Sequence, residues 1–313
     1  MWQVLAFAIS LSGLLIATYT DLKERIVPNR LNLFLVSSGL LIHLSFSYLN
    51  NNWSLFGYAI FALIYSFMFA YFLYKIGVWA GGDVKLFAAL AALNPVNPFI
   101  AKFFGFNGTT ISIPLFPIEL FVLTVFAMLP INIAILFKRA DSNTRKHLLF
   151  LLSIPAFLWV CSTAIPIEMV STLFATLSFF GFIYFIFACY FAGKIILTKK
   201  IRISELQEGD IPAEFIRIVN GKVIREKGFN IKKLINYLAQ HKIGNSKQGD
   251  EIVSPLKARG VTEEEIMKLK ELVNKKMLED SIYIKESTPM VPAILAAYIV
   301  LNISGDVLWL LVA

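Results

Sequence analysis

The chain has 313 residues, of which 57% are hydrophobic and only 16% are charged, and its mean hydropathy is +0.69. Soluble globular proteins carry about 45–50% apolar and about 25% charged residues, so this composition excludes an ordinary soluble enzyme and a disordered chain. The formal net charge of +8 would suit a nucleic-acid-binding protein. Most of the excess in the apolar part lies in short loops, where membrane topology explains it, so we expect a lipid bilayer and no nucleic acid as partner.

Eight apolar runs approach the roughly 20 residues that a membrane-spanning helix needs. In chain order they are 2–20, 31–49, 55–74, 84–104, 118–137, 148–166, 171–193 and 291–312. The fourth is the weakest, because Pro95 and Pro98 interrupt it. It is expected to end near residue 94, with 95–117 as a re-entrant or outer-surface segment.

The short connections alternate between basic loops and loops without Lys or Arg. Basic residues occur in 21–30, 75–83 and 138–147, and none occur in 50–54, 105–117 and 167–170. Loops rich in Lys and Arg stay in the cytoplasm. The pattern therefore predicts a multi-pass protein of the cell membrane with both termini outside.

One polar segment interrupts the apolar chain. Residues 198–288 hold 32 of the 50 charged side chains. We expect a membrane catalytic body of seven spans (1–197), a cytoplasmic α+β domain (198–288) and a final transmembrane helix (289–313). The predicted fold class is an all-α polytopic membrane protein of about eight transmembrane helices, with this small domain inserted before the last helix.

Local patterns predict the elements of the inserted domain. The pattern predicts a β-hairpin whose strands are Phe215–Val219 and Val223–Glu226 and whose two-residue turn is Asn220-Gly221. Helical periodicity covers 230–241, and Thr262 with Glu265 forms a capping box that opens a helix to about Leu278. A short strand is predicted at 282–285.

The sequence contains no pattern that binds a metal or a cofactor. Cys161 and Cys189 lie in apolar runs and form no Cys-x-x-Cys pair, so a packing role is expected for both. A phosphate-binding glycine loop followed by Lys and Ser or Thr is also absent. We therefore expect no metal and no cofactor.

Ionisable side chains are costly in a membrane and often mark functional sites, and Asp21 and Asp83 are the two main candidates in the apolar part of the chain. Asp21 follows the first span, Asp83 precedes the fourth, and the derived topology puts both at the cytoplasmic face. Two neighbouring carboxyl groups share one proton, so one can activate water while the other protonates a peptide carbonyl. The structural alternatives are an interfacial charge for Asp21 and an N-cap for Asp83.

The residues around both aspartates resemble the paired motifs of prepilin peptidases. Asp21 is followed by Ile26-Val27-Pro28-Asn29, and Gly82-Asp83-Val84-Lys85 matches most of the pattern Gly-x-Gly-Asp-x-Lys. The tail Thr288-Pro289-Met290-Val291-Pro292, followed by Gly305-Asp306, resembles the last span of archaeal members, including preflagellin peptidases. The resemblance covers residues 1 to about 137 and the final span.

The resemblance implies a membrane aspartic endopeptidase with Asp21 and Asp83 as its catalytic pair. Such enzymes remove short, positively charged leaders from type IV pilin-like or flagellin-like precursors at the cytoplasmic membrane face. Pro28, Asn29, Gly81, Gly82 and Lys85 are then supporting residues of the motifs. Gly81 and Gly82 would let an extended substrate backbone approach the aspartate. Residues 198–288 would select substrates or contact pilus-assembly components.

Several features depart from the family pattern or have structural explanations. Ala80 stands where the first Gly of the second motif is expected, and the cysteines that accompany N-methylation in bacterial members are missing. Lys85 would tune an aspartate, hold the substrate or extend to the membrane surface. Structural roles are expected for Pro28 and Asn29 at the start of the second helix. His43 is expected to be buried and hydrogen-bonded, and Asp306 is expected to bind a backbone group. Glu119 and Glu168 are expected to be solvated at the outer surface.

Three other functions remain open from the residues alone. A transporter would need charges near the bilayer midplane and broken helices in matching halves. A membrane-anchored adaptor would use the inserted domain for binding and would tolerate loss of Asp21 or Asp83. A presenilin-like protease would cut inside a helix, which the Pro28-Asn29 motif and the position of the aspartates at the membrane edge argue against.

Overall fold

A computed structural model describes residues 2–75, 79–106, 108, 110–165, 167–219, 221–227, 250–255, 260–285 and 288–307. The chain divides into two compact units, one formed by 1–129 together with 200–313 and the other by 130–199. In chain order the helices are α1 (Trp2–Glu24), α2 (Asn29–Leu49), α3 (Ser54–Lys75), α4 (Gly81–Leu93), α5 (Phe116–Arg139), α6 (Ser142–Ala164), α7 (Glu168–Ile196), α8 (Glu263–Asn274) and α9 (Val291–Ser304).

Six of these helices, α1 to α3 and α5 to α7, are long and apolar enough to cross a membrane. They confirm six of the eight predicted spans and the prediction of a polytopic membrane protein. The basic loop predicted at 138–147 is mostly helical, because the Asp141 side chain caps α6 by accepting the backbone N–H groups of Asn143 and Thr144.

The fourth and eighth predicted spans are shorter helices. α4 ends at Leu93, which confirms the predicted end near residue 94, and a separate 3₁₀ helix follows at Ile100–Phe104. A continuous helix over 84–104 is therefore wrong. α9 ends at Ser304, because Gly305 takes a φ of 79° and leaves the helical conformation. The run predicted at 291–312 is thus too long at its C-terminal end.

α4 is the central helix of the first unit. Its residues from Val84 to Leu93 are buried, with Lys85 as the exception. A helix that is apolar all round needs neighbours on every side, and α4 contacts α1, α2 and α3. The apolar core around it also contains residues of α1, α2 and α9: Leu14, Ala17, Leu35, Ile42, Val291, Ile294, Tyr298 and Leu301.

A polar network lies at the C-terminal end of α4. The Asn94 side chain donates to Ser10 Oγ at 2.7 Å and accepts from the Tyr298 hydroxyl at 3.3 Å. His43 Nε2 lies 3.1 Å from the Leu93 carbonyl oxygen. Buried polar groups are stable only when they are paired. These hydrogen bonds join α1, α2 and α9 to the end of the central helix.

The unit at 130–199 is built mainly from α6 and α7. The Ser178 hydroxyl donates to the Pro155 carbonyl at 2.7 Å, and a Cβ on Gly181 would lie 2.9 Å from Pro155 Cβ. Because Gly181 has no side chain, α7 can pack closely against α6 at Pro155. Cys189 is buried in an apolar cluster with Leu136, Leu148 and Phe185, which confirms its packing role, and both cysteines are free.

The polar segment contains strands and a helix, as predicted. The strands are β1 (Thr198–Ile201), β2 (Ile211–Pro212), β3 (Glu214–Val219), β4 (Lys222–Lys227), β5 (Asp250–Val253) and β6 (Ile282–Lys285). They form two sheets, ordered β1-β6-β2 and β4-β3-β5, and the strand pairs with a described register are antiparallel. The Arg225 guanidinium joins the sheets by donating to the buried Glu214 carboxylate and the Ser281 carbonyl.

The hairpin, the start of the helix and the last strand of this segment lie where the sequence predicts them. The hairpin is confirmed by the pairing of Val219 with Lys222, and the strand at 282–285 is confirmed as β6. Both hydrogen bonds of the Thr262–Glu265 capping box are present. α8 ends at Asn274, four residues before the predicted end, because Lys276 takes a left-handed φ of 56° and closes the helix. The helix predicted at 230–241 lies outside the described residues.

Gly39 allows α2 to approach the backbone of α4 closely. A Cβ at this position would lie 2.8 Å from the Ala92 carbonyl carbon and 2.8 Å from the Leu93 nitrogen. Gly39→Ala is therefore expected to destabilise the protein by about 1–3 kcal/mol through overpacking. Gly57→Ala is the matched control, because a Cβ there meets nothing within 4 Å. Thermal unfolding in detergent measures both, and equal midpoints for the two variants would contradict the close approach.

Candidate active site

Asp21 lies in the last turn of α1 and is buried, with 6% of its surface exposed. α1 continues past the predicted span end at residue 20 to Glu24, so Asp21 is helical and does not belong to a loop. Arg25 closes the helix with a left-handed φ of 57°. The Asp21 Oδ2 atom accepts the backbone N–H of Val291 at 3.0 Å, which connects the first helix to the last.

Asp83 is the third residue of α4 and is buried, with 9% of its surface exposed. Ala80 occupies the N-cap position, and Asp83 Oδ2 accepts the Ala80 N–H at 3.3 Å. The alternative in which Asp83 is the N-cap is therefore wrong. Asp83 lies three residues after the N-cap, and its carboxylate accepts the N–H of the N-cap residue.

The fold brings these two carboxyl groups together. They are far apart in sequence, yet Asp21 and Asp83 interact electrostatically at one end of the first unit. Two buried carboxyl groups that repel each other do not both ionise readily, so the state in which only one of them is protonated is favoured. The arrangement can therefore supply a general base and a general acid to a substrate that reaches both groups.

The two sequence motifs contact each other directly. The exposed Lys85 ammonium donates to Asn29 Oδ1 at 2.7 Å. A Cβ on Gly82 would lie 3.3 Å from Val27 Cβ, so the first turn of α4 lies close to the segment that precedes α2. Pro28 is the N-cap of α2 and Asn29 its first residue, so both lie at the start of the second helix, where the sequence predicts them.

Ala80 is compatible with its place in the second motif. Its φ of −80° and ψ of 156° lie in the extended region, which any residue adopts. Gly81 and Gly82 belong to the first turn of α4, and the nearest neighbour of a Cβ on Gly81 would be Tyr74 Cε2 at 3.8 Å. The backbone conformation at position 80 thus needs no glycine.

Four other ionisable residues of the apolar part of the chain lie in different environments. The Asp306 carboxylate accepts the Ile111 N–H, and His43 is buried and hydrogen-bonded, which confirms both expectations. Glu168 is exposed, as predicted. The expectation of a solvated Glu119 is wrong, because this side chain is fully buried near the start of α5.

Other contributions to the site come from groups that sequence patterns do not identify. The backbone N–H groups of Met290 and Val291 both contact the Asp21 carboxylate. Trp79 is buried beside the second motif and its ring contacts Phe87 and Phe121. Over the described ranges, no three His, Cys, Asp or Glu side chains are grouped to hold a metal.

Comparison with known proteins gives two family matches. The type IV leader peptidase family matches residues 8–137, and the archaeal peptidase A24 C-terminal domain matches 176–284. The chain is 24% identical to the prepilin peptidase EppA of Methanothermobacter thermautotrophicus, over 99% of this chain and 96% of that protein. It is 23% identical to the prepilin peptidase EppA of Methanocaldococcus jannaschii, over 92% and 93%. A preflagellin peptidase of Methanococcus voltae is 29% identical over 45% of this chain and 61% of its own length.

The fold and the site together define a polytopic membrane protein with a pair of buried, interacting aspartates. Both family matches, one over the helices that carry the aspartates and one over the polar segment, agree with that class. Residues 8–137 match the type IV leader peptidase family and 176–284 match its archaeal C-terminal domain, so the chain is a peptidase of this type. The resemblance found in the sequence is thereby confirmed.

The contact between Gly82 and Val27 can be tested with the neighbouring glycine as a control. Gly82→Ala is expected to lower the free energy of unfolding by about 1 kcal/mol more than Gly81→Ala, because only residue 82 is crowded. Both changes replace a glycine in the same helical turn, so the effect on helix propensity is shared. Thermal unfolding in detergent compares the two, and a larger loss for Gly81→Ala would contradict the packing of the motifs.

Proposed function

We propose that this protein is a membrane aspartic endopeptidase that removes the leader peptide from type IV pilin-like precursors, with Asp21 and Asp83 as its catalytic pair. The observation that carries the proposal is that the fold brings these two buried carboxyl groups within electrostatic range of each other. The match of residues 8–137 to the type IV leader peptidase family supports it. Each aspartate also lies in a motif that contacts the other motif, through Asn29 and Lys85.

The proposed reaction is peptide hydrolysis by general acid–base catalysis. One ionised carboxylate takes a proton from water as the water oxygen attacks the carbonyl carbon of the scissile peptide. The other, protonated carboxyl gives its proton to the carbonyl oxygen. The tetrahedral intermediate then breaks its C–N bond: the carboxyl that took the proton from water gives it to the leaving amine, and the other carboxylate takes back a hydroxyl proton. The reaction uses no covalent intermediate with the enzyme.

The precursors of pilins are the favoured substrates. Three relatives that align over nearly the whole chain, including its polar segment, are named prepilin peptidases, whereas two preflagellin peptidases each align over 45% of the chain. A substrate with a short basic leader before an apolar helix fits an enzyme whose candidate site lies at the end of a membrane bundle. Pilus-assembly components as partners of residues 198–288 stay a prediction.

The orientation in the membrane is also a proposal. Asp21 at the end of α1, Asp83 at the start of α4 and Val291 at the start of α9 belong to the same end of the first unit. The basic side chains at that end of the helices favour the cytoplasm: Lys23, Arg25, Arg30, Lys75 and Lys85. The polar segment ends close before α9, so we propose that it is cytoplasmic and that both termini are outside.

The catalytic pair is tested by cleavage of prepilin-type and preflagellin-type precursors in detergent. Asp21→Asn and Asp83→Asn are each expected to lower kcat/KM by about 10²–10⁴-fold, because each removes one partner of the proton transfers. Glu24→Gln is the matched control, since it neutralises an exposed carboxylate one turn from Asp21. EDTA is expected to leave cleavage unchanged. Wild-type rates in both aspartate variants would favour an adaptor, and a loss with EDTA would indicate a metallopeptidase.

The orientation is tested by cysteine labelling in a Cys161→Ala, Cys189→Ala background that still cleaves precursor. Glu208→Cys introduces a thiol at an exposed position of the polar segment, and Glu168→Cys introduces one at the exposed first residue of α7. A membrane-impermeant maleimide is expected to label residue 168 in intact cells and residue 208 only in inverted vesicles. The reverse pattern would contradict the proposed orientation.

A further inference from the structure

The surroundings of the two aspartates are not equivalent. Asp21 accepts the Val291 N–H at 3.0 Å, contacts the Met290 N–H and interacts electrostatically with the Arg25 guanidinium. Asp83 accepts one N–H, that of Ala80, at 3.3 Å, and the negative charges of the two carboxylates act on each other. Burial and the neighbouring negative charge disfavour the ionised form of both carboxyl groups, whereas hydrogen bonds and a nearby cation favour it, and Asp21 has the larger share of these.

The donors to Asp21 are the uncapped amides of the final helix. Met290 is the N-cap of α9, and its side chain makes no capping hydrogen bond. Pro292 has no N–H, and the amides of Ala293 and Ile294 donate to the Met290 carbonyl. The first turn of a helix carries unsatisfied N–H groups and a partial positive charge. A carboxylate from α1 therefore supplies the cap that α9 does not have in its own sequence.

We propose that the N-terminus of the final helix holds Asp21 in its ionised form, which makes Asp21 the general base and Asp83 the general acid. The assignment rests on the proposed function of the pair. Asp21 takes the proton from the attacking water, and Asp83, which holds the shared proton, gives it to the carbonyl oxygen of the scissile bond. The Met290 and Val291 amides are then positioning groups, which act on the substrate only through Asp21.

The charged groups around Asp21 are few in the part of the chain that the structure describes. Arg25 acts from the end of the same helix, and Asp83 acts from α4. Lys23 and Glu24 pair with each other at 3.5 Å and are exposed, and Lys85 donates to Asn29. α9 contributes backbone amides and no side-chain charge to the contact. Removing an α9 amide is therefore expected to change the titration of Asp21 without adding or removing a charge.

The test replaces single amides by esters in the full-length chain. α-Hydroxyvaline at position 291 deletes the N–H that contacts Asp21 and keeps the side chain. α-Hydroxyisoleucine at position 294 is the matched control, because it deletes an amide that donates to Met290 within the same turn. Cell-free translation into lipid nanodiscs gives both proteins, and kcat/KM for a prepilin-type precursor is measured from pH 4 to pH 10, a range chosen to include the usual carboxyl and amine titrations.

The ester at 291 is expected to move the acidic side of the pH profile upward by about one pH unit, because Asp21 then ionises less readily. Below the optimum this corresponds to an activity loss of about tenfold. The basic side of the profile, where Asp83 loses its proton, is expected to stay in place. The ester at 294 is expected to leave both sides where the wild type has them.

An unchanged acidic side, the same shift in both esters, or a loss that is equal at every pH would each overturn the proposal. Should the ester at 291 abolish the thermal transition, α-hydroxymethionine at position 290 enters the same comparison, since it deletes the other N–H that contacts Asp21. Loss of cleavage in Asp21→Asn and Asp83→Asn together with an unmoved profile would refute only the acid–base assignment. Wild-type cleavage in both Asn variants would refute the catalytic pair itself.

Discussion

The hydrogen bond between the Asp21 carboxylate and the Val291 amide is the interaction on which the candidate site depends. It joins the C-terminal turn of the first helix to the N-terminal turn of the last one, across 270 residues of sequence. The same carboxylate lies within electrostatic range of Asp83. A single side chain thus completes the final helix and forms half of the aspartate pair, so the fold of α9 and the chemistry of Asp21 are not separable.

The second requirement is a rigid support for Asp83, which α4 provides. This helix is apolar on every side and is surrounded by other helices, and its end is held by the hydrogen bonds of Asn94. Close packing to α2 is possible because Gly39 has no side chain. A short buried helix of this kind has little freedom to shift, and it therefore holds Asp83 at a fixed depth in the bundle.

Much of the fold could be predicted because its signals are local. Six spans follow from length and hydropathy, and the hairpin at Gly221 and the helix that begins after Thr262 follow from turn and capping residues. The ends of α8 and α9 are harder to predict. α8 ends at a lysine in the left-handed conformation, which residue type alone does not indicate. The burial of Glu119 depends on packing between distant segments, which one sequence does not reveal.

Only the side chains of the candidate site can be predicted from the sequence, and its backbone groups cannot. The aspartates and their motifs can be identified from residue types, but the donors to Asp21 are backbone amides of Met290 and Val291, which every residue except proline possesses. The prolines at 289 and 292 flank these amides, but in the sequence they indicate only a family resemblance. Substitution of side chains in α9 leaves the amides in place. A scan by alanine would therefore report this helix as structural even if it determines which aspartate is charged, and only a change to the backbone separates the two roles.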